Sequence, residues 1–316
     1  MVTGFVGRDV SLKIKKTFVL FVFLAAVGGG RVLAEEARPP KFRVLTTVFP
    51  LEEFARAVAD DRAEITMLLP PGAEVHTWQP RVSDIKKFSD LDVFIYIGGN
   101  LEPWAHDILR SVARPGLKIV EAGRGLVVAA LGADEHGAKE ADDPHIWLDF
   151  AYDQILIDRI QAALAEVEPA GAQPFKKAAE IYKEKLRLLD QEYRNALQSC
   201  DRRTFIFAGH SALRYLARRY SLDQVSVYGI SPDAAPTPRQ LAGIISLAKQ
   251  KNIKTIFFEP SAGDKLARMI AAEVGADVRP LYPGHNLTPD ERRSKTTFLD
   301  LMERNLENLR YGLGCH

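Results

Sequence analysis

One stretch limits what this 316-residue chain can fold into more than any other. It is a helical pattern of about 25 residues, Pro174 to Gln198, near the middle of the sequence. Ala178, Tyr182, Leu186, Leu189, Tyr193 and Leu197 recur at spacings of three or four, which places them on one stripe, while Lys and Glu fill the other face. At 1.5 Å per residue such a helix is roughly 38 Å long, enough to cross a small domain. It reads as a rigid connector. A dimerising coiled coil is the alternative, for which the pattern is short.

On both sides of this helix, short apolar runs alternate with amphipathic ones. Before it, strands are expected at 42–48, 63–69, 91–97 and 117–120, with helices at 51–59 and 82–88 and another opened by Pro103, a residue suited to a first helical turn. After it, strands are expected at 204–208, 224–228, 255–258 and 276–281, and helices at 212–220, 238–250, 264–274 and 296–310. Strands alternating with helices argue for parallel sheets covered on both faces. The expected fold class is therefore α/β: two βα lobes, 35–170 and 201–316, each on a parallel four-stranded sheet, joined by one long rigid helix over 171–200.

The N-terminus has the layout of a secretory signal peptide. Lys13, Lys15 and Lys16 precede the apolar run Thr17 to Val27, Gly28-Gly29-Gly30 breaks that run, and Val32-Leu33-Ala34 offers small residues for cleavage near Ala34. The run is well short of the roughly 20 residues a membrane span needs, although an uncleaved anchor is the alternative. With no Cys near the cleavage point, no lipid anchor is expected. Residues 1–34 hold five basic side chains and one acid, so the remainder carries 37 basic against 40 acidic residues, a net charge of −3. That balance lacks the basic footprint of a nucleic-acid binder. The two cysteines, Cys200 and Cys315, suggest a disulfide in an exported protein, with two free thiols as the alternative.

The chemistry lies in histidines placed at loops. Glu74-Val75-His76-Thr77-Trp78 and Asp143-Pro144-His145-Ile146-Trp147 share the order acid, any residue, His, any residue, Trp. His210 follows the apolar run 205–208 directly, and His285 lies in the loop after the last expected strand. In open parallel sheets, ligands bind beyond the carboxyl ends of the strands. All four imidazoles can therefore point into one interlobe cleft, two from each half, where Zn²⁺ would take nitrogens at about 2.0–2.1 Å. Glu74, Asp143 and Asp149 can orient imidazoles or serve as caps and turn formers. Trp78 and Trp147 read as packing residues. His106, on a helix, reads as solvated, as does His136 in the acidic loop 132–143.

These motifs resemble the zinc and manganese solute-binding proteins of ABC transporters, the ZnuA/TroA-like group, also called cluster A-I. The resemblance is carried by Pro70-Pro71-Gly72-Ala73-Glu74-Val75-His76, Asn100-Leu101-Glu102-Pro103-Trp104, Asp143-Pro144-His145-Ile146-Trp147-Leu148-Asp149 and Gly209-His210-Ser211-Ala212. Pro236-Thr237-Pro238-Arg239, Ile256-Phe257-Phe258-Glu259-Pro260 and Phe298-Leu299-Asp300-Leu301-Met302 also fit, so it spans about 42–312. It implies two lobes with a metal between them, ligand roles for His76, His145 and His210, and a tendency to zinc where the third ligand is His. Ligand chemistry agrees, since imidazole suits zinc and carboxylates suit manganese. Many members carry an Asp ligand after the last strand, where this chain reads Pro283-Gly284-His285. His285, water or Glu259 would complete the shell here.

The function implied is periplasmic capture of Zn²⁺, with Mn²⁺ possible, and delivery to an ABC permease with its ATPase. A monomer and no enzymatic activity are expected. The alternative is a secreted zinc-dependent hydrolase with a three-histidine and water site. No His-Glu-x-x-His helix supports it.

Overall fold

The computed structural model describes residues 41–126, 143–229 and 235–316. The expected leader and the acidic loop with His136 lie outside the described residues. From Pro40 onward the chain forms one compact unit.

The first lobe contains β1 (Phe42–Thr46), α1 (Phe49–Ala59), β2 (Ala63–Met67), α2 (Val82–Ile85), β3 (Val93–Tyr96), α3 (Ala105–Val112) and β4 (Lys118–Glu121). Its four strands pair in parallel in the order β2-β1-β3-β4. After α4 (Phe150–Val167) and α5 (Ala172–Leu197), the second lobe repeats the plan. Here β5 (Thr204–Ala208), α6 (Arg214–Arg219), β6 (Asp223–Ser226), α7 (Pro238–Gln250), β7 (Thr255–Phe258), α8 (Lys265–Val274) and β8 (Asp277–Pro280) form a parallel sheet in the order β6-β5-β7-β8. The short α9 (Pro289–Arg293) and α10 (Phe298–Leu313) close the chain.

Both faces of each sheet are covered, as parallel sheets require. Val44 turns into a large shared core while its neighbour Leu45 joins a separate cluster with Phe88 and Phe94. In the second sheet Phe205 and Phe207 face the shared core, and Ile206 and Ala208 face an aliphatic cluster with Ile256 and Ile270.

The expected elements are present, with most ends moved by one to three residues in either direction. The expected helix 82–88 is instead the α-turn α2 followed by a 3-10 turn, Lys86–Phe88. The helix α9 was not expected, although Thr288 and Glu291 form a capping box whose Ser/Thr-x-x-Glu spacing is present in the sequence.

The long helix α5 is 26 residues. Its buried stripe runs Phe175, Ala179, Tyr182, Leu186, Leu189, Tyr193 and Leu197, with Ala178 only half-buried at its edge. It is not a bare strut. It packs on α1, α4 and α10, and its aromatic rings tie the lobes into one core. Phe54 meets the ring of Tyr182 at 5.6 Å and that of Phe298 at 5.5 Å. Tyr193 meets Phe150 at 5.4 Å and stacks on Tyr220 at 4.9 Å. A polar clasp adds to this: Arg219 of α6 donates to Asp190 of α5 and to Asp149 at the start of α4. Cys200 and Cys315 form a disulfide joining the segment after α5 to the chain's end.

Candidate metal centre

The carboxyl ends of the strands open onto the interlobe cleft. In the order β6-β5-β7-β8, the chain leaves β5 and β7 in neighbouring positions and then crosses to opposite sides, which creates a crevice there. His210 lies two residues beyond β5, and Glu259 one residue beyond β7. His210 Nδ1 donates to Glu259 Oε2 at 2.8 Å. Gly209 precedes it because a Cβ at that position would come within 2.6 Å of the Phe207 ring.

His145 is presented by a turn locked at both ends. Asp143 accepts from the His145 backbone N–H at 3.0 Å and from its Nδ1 at 2.8 Å. A 3-10 turn, Ile146–Leu148, follows at once, and Asp149 then caps α4 by accepting from the Ala151 N–H at 3.0 Å. From the second lobe, Tyr215 donates its hydroxyl to the Asp143 carbonyl at 3.0 Å. Trp147 is fully buried with its ring 5.3 Å from that of His145, in the packing role expected of it.

His76 comes from the long loop after β2. Glu74 accepts from its backbone N–H at 3.1 Å, so this acid acts as a turn former. Trp78 packs edge-on against Trp104 at 5.8 Å. His285 follows Gly284, whose φ of +75° suits glycine.

Three of the four predicted imidazoles meet. Nε2 of His76 lies 3.1 Å from Nε2 of His145, and Nε2 of His210 lies 3.2 Å from the same atom. Four donors at 2.0–2.1 Å around a tetrahedral ion are about 3.3 Å apart, so this spacing is that of a coordination shell. The proton positions agree. His145 and His210 each spend an Nδ1–H on a carboxylate, so in their neutral forms both Nε2 atoms present lone pairs. Lone pairs converging at this range repel unless a cation lies between them.

His285 falls in a second set. Its ligand atom lies with those of Glu74 and Glu259 within 4.8 Å of one another, not in the His76, His145, His210 set. Its Nε2 is 3.9 Å from Glu259 Oε1, and its buried Nδ1 has no hydrogen-bond partner. His106 is exposed on α3, as expected.

Electrostatics separates the rings. Burial, then the neighbouring imidazoles, pushes His76 down to about 2 and His145 well below the usual imidazole range. Burial acts the same way on His210, but the Glu259 carboxylate outweighs it and raises His210 above the usual value. Burial would raise Glu259, yet His210 and His285 hold it down at about 2. Asp143 is raised to about 6 by burial. Of the four rings, His210 is the one whose surroundings favour the protonated form. The orienting role of Glu259 was missed from sequence, where that residue reads as an outside ligand candidate or a structural acid. Its one signal is topological: it follows the strand beside the one that delivers His210.

Comparisons with known proteins were made against this geometry. The chain is 34% identical over 297 residues to the zinc-binding protein AdcA of Streptococcus pyogenes, covering 89% of this chain but only 57% of that relative. It is 31% identical over 302 residues to the high-affinity zinc uptake system protein ZnuA of Bacillus subtilis, covering 93% of this chain and 94% of the relative. Its fold matches the Zn(II)-bound ZnuA-like domain of Streptococcus pneumoniae AdcA with a TM-score of 0.75 at 31% identity, covering 87% of this chain and 99% of that one. Residues 44–312 match the family described as ZnuA, zinc-uptake complex component A periplasmic. The chain belongs to the ZnuA family.

Proposed function

We propose that this protein captures Zn²⁺ in the periplasm and delivers it to the permease and ATPase of an ABC transporter. The observation that carries the reading is the convergence of three Nε2 atoms, two of them held by carboxylates at Nδ1. His76, His145 and His210 serve as ligands. His285 is the fourth, reached by a small movement of its loop toward the triad. A set of imidazoles favours zinc, with Mn²⁺ a weaker second cargo. The ion is cargo, so nothing in the site is asked to do chemistry on a substrate. The cavity beside His285 and Glu259 measures about 20 Å³, room for one water or one ion.

The working units are the two lobes, 35–170 and 201–316, with the helical segment 171–200 between them, acting as a monomer after export. Because α5 is built into a core common to both lobes, metal loading changes loop positions and lobe tilt slightly rather than swinging a hinge. The permease reads that change.

The test is metal analysis and zinc titration of the protein and of four variants, His76→Ala, His145→Ala, His210→Ala and His285→Ala. One equivalent of Zn²⁺ is expected in the parent. Loss of one of four ligands should remove about a quarter of the roughly 10–16 kcal/mol typical of structural zinc, which is a hundred- to thousandfold weakening. Undiminished affinity in His145→Ala would overturn the reading.

A further inference from the structure

The loop that carries His285 belongs to the second lobe by sequence, yet the first lobe holds it. Its backbone and side chains make five cross-lobe hydrogen bonds. Phe49 N–H donates to the His285 carbonyl at 2.9 Å, and Gly72 N–H donates to the Leu287 carbonyl at 2.9 Å. Trp147 Nε1 donates to the Pro283 carbonyl at 2.8 Å. The remaining two come from one side chain. Asn286 Nδ2 donates to the Pro70 carbonyl at 2.8 Å and to the Ala73 carbonyl at 2.9 Å, while its Oδ1 accepts from the Leu287 N–H at 2.8 Å. The three partners fix the amide's orientation, because Nδ2 alone can donate and Oδ1 alone can accept.

Pro70 and Ala73 are the two ends of the turn that leads into Glu74 and His76, closed by Ala73 N–H to Pro70 carbonyl at 3.0 Å. A single side chain therefore ties the His76 loop to the His285 loop. The same two loops line the small cavity, through Gly72, Ala73, Asn286 and Thr288, with His285 and Glu259 also lining it. His145 and His210 are sealed, at 0% and 1% exposure, while His76 is only half-buried. Among the described residues of the triad, His76 is therefore the one through which an ion can reach the site, where it and its loop move aside.

We propose that Asn286 is a positioning residue that latches these two loops over the metal, so that its two amide hydrogen bonds must break before an ion can enter or leave. This rests on the zinc-capture reading above. The latch acts on exchange, not on coordination. Removing it lowers the barrier in both directions, so capture and release both accelerate and the equilibrium constant moves less than either rate. Two hydrogen bonds at about 0.5–1.5 kcal/mol each correspond to roughly five- to hundredfold in rate.

The experiment is stopped-flow zinc release into excess fluorescent chelator, with zinc association measured on the same full-length preparations. Asn286→Ala is expected to release zinc about tenfold faster or more, with a parallel rise in the association rate. Asn286→Asp keeps the size and the bond from Leu287 but sets a carboxylate against two carbonyl oxygens. It is expected to be at least as fast, and it carries the test if the alanine variant does not fold. Release within twofold of the parent in both variants would overturn the latch. So would faster release with an unchanged association rate, since that marks damage to the donor set. His145→Ala run alongside separates the two readings: zinc retained there defeats the metal site itself, whereas zinc lost there with unaltered Asn286 variants defeats only the latch.

Discussion

In each lobe a buried carboxylate follows the third strand, and its surroundings shift the two in opposite directions. In the first lobe Glu102 follows β3 and reaches back across the sheet to Thr47, just beyond β1. In the second, Glu259 follows β7 and reaches across to His210, just beyond β5. Glu102 is fixed by the hydroxyl of Thr47 and the N–H groups of Ile97 and Gly98, all neutral, and burial raises it to about 7. Glu259 is no less buried, but two imidazoles face it and hold it at about 2. Topology supplies the place for an acid in each lobe; the partner decides its charge. Only the second acid can serve as the anion that pins an imidazole tautomer beside a metal. Asp153 in α4 is a third case, fully buried with neither oxygen hydrogen-bonded, and burial with Asp149 nearby raises it far above the usual range.

The largest effect should come from Glu102. Its rise from 4.5 to about 7 corresponds to about 3 kcal/mol of stability that is present below pH 4.5 and lost as pH climbs through 7. Denaturant titrations of Glu102→Gln should flatten that loss between pH 5 and pH 8 and leave zinc affinity unchanged. A shifted zinc affinity would break the contrast between the lobes.

Next is the pH dependence of zinc binding. Zinc needs neutral imidazoles, so protons compete and affinity falls with pH. His76, His145 and His285 are all depressed, chiefly by burial, which leaves His210 as the ring that competes. Affinity should fall about tenfold per pH unit below the raised His210 value, a slope of one proton. Titrations giving a slope near three would show the rings to be equivalent. Substituting Glu259→Gln should weaken zinc at neutral pH by about ten- to a hundredfold, as lost orienting partners commonly do. It should also move the onset of proton competition to lower pH, which sharpens the comparison with Glu102. Smallest is Asp153→Leu, expected to stabilise the fold by about 1–3 kcal/mol in denaturant melts at pH 7, because it removes buried polar atoms without partners. No gain there would contradict the ranking of these acids by their partners.

Much of this was legible in the residues. Strand and helix periodicities are local, so the eight strands and the long helix could be read directly, with errors only at the ends. The edge of the α5 stripe is one such error. Ala178 fits the spacing, but Phe175 and Ala179 face the core, because the helix's packing on α1 and α4 sets its rotation. The histidines at loops following strands were equally plain. The role of Glu259 was not, since it rests on β5 and β7 being neighbours although about fifty residues separate them. Nor was that of Asn286, whose partners lie more than two hundred residues earlier.

By itself the sequence determined the alternation of elements, the pairing of cysteines as an expectation, and four imidazoles in loops on the cleft side of the sheets. These depend on near neighbours and on backbone preferences that act within a few residues. Tertiary structure alone decided which acid stays charged, which nitrogen of each ring faces the cleft, and that the His285 loop is held by the opposite lobe. Each of those is settled by desolvation and hydrogen bonding among groups far apart along the chain, and a linear pattern carries neither.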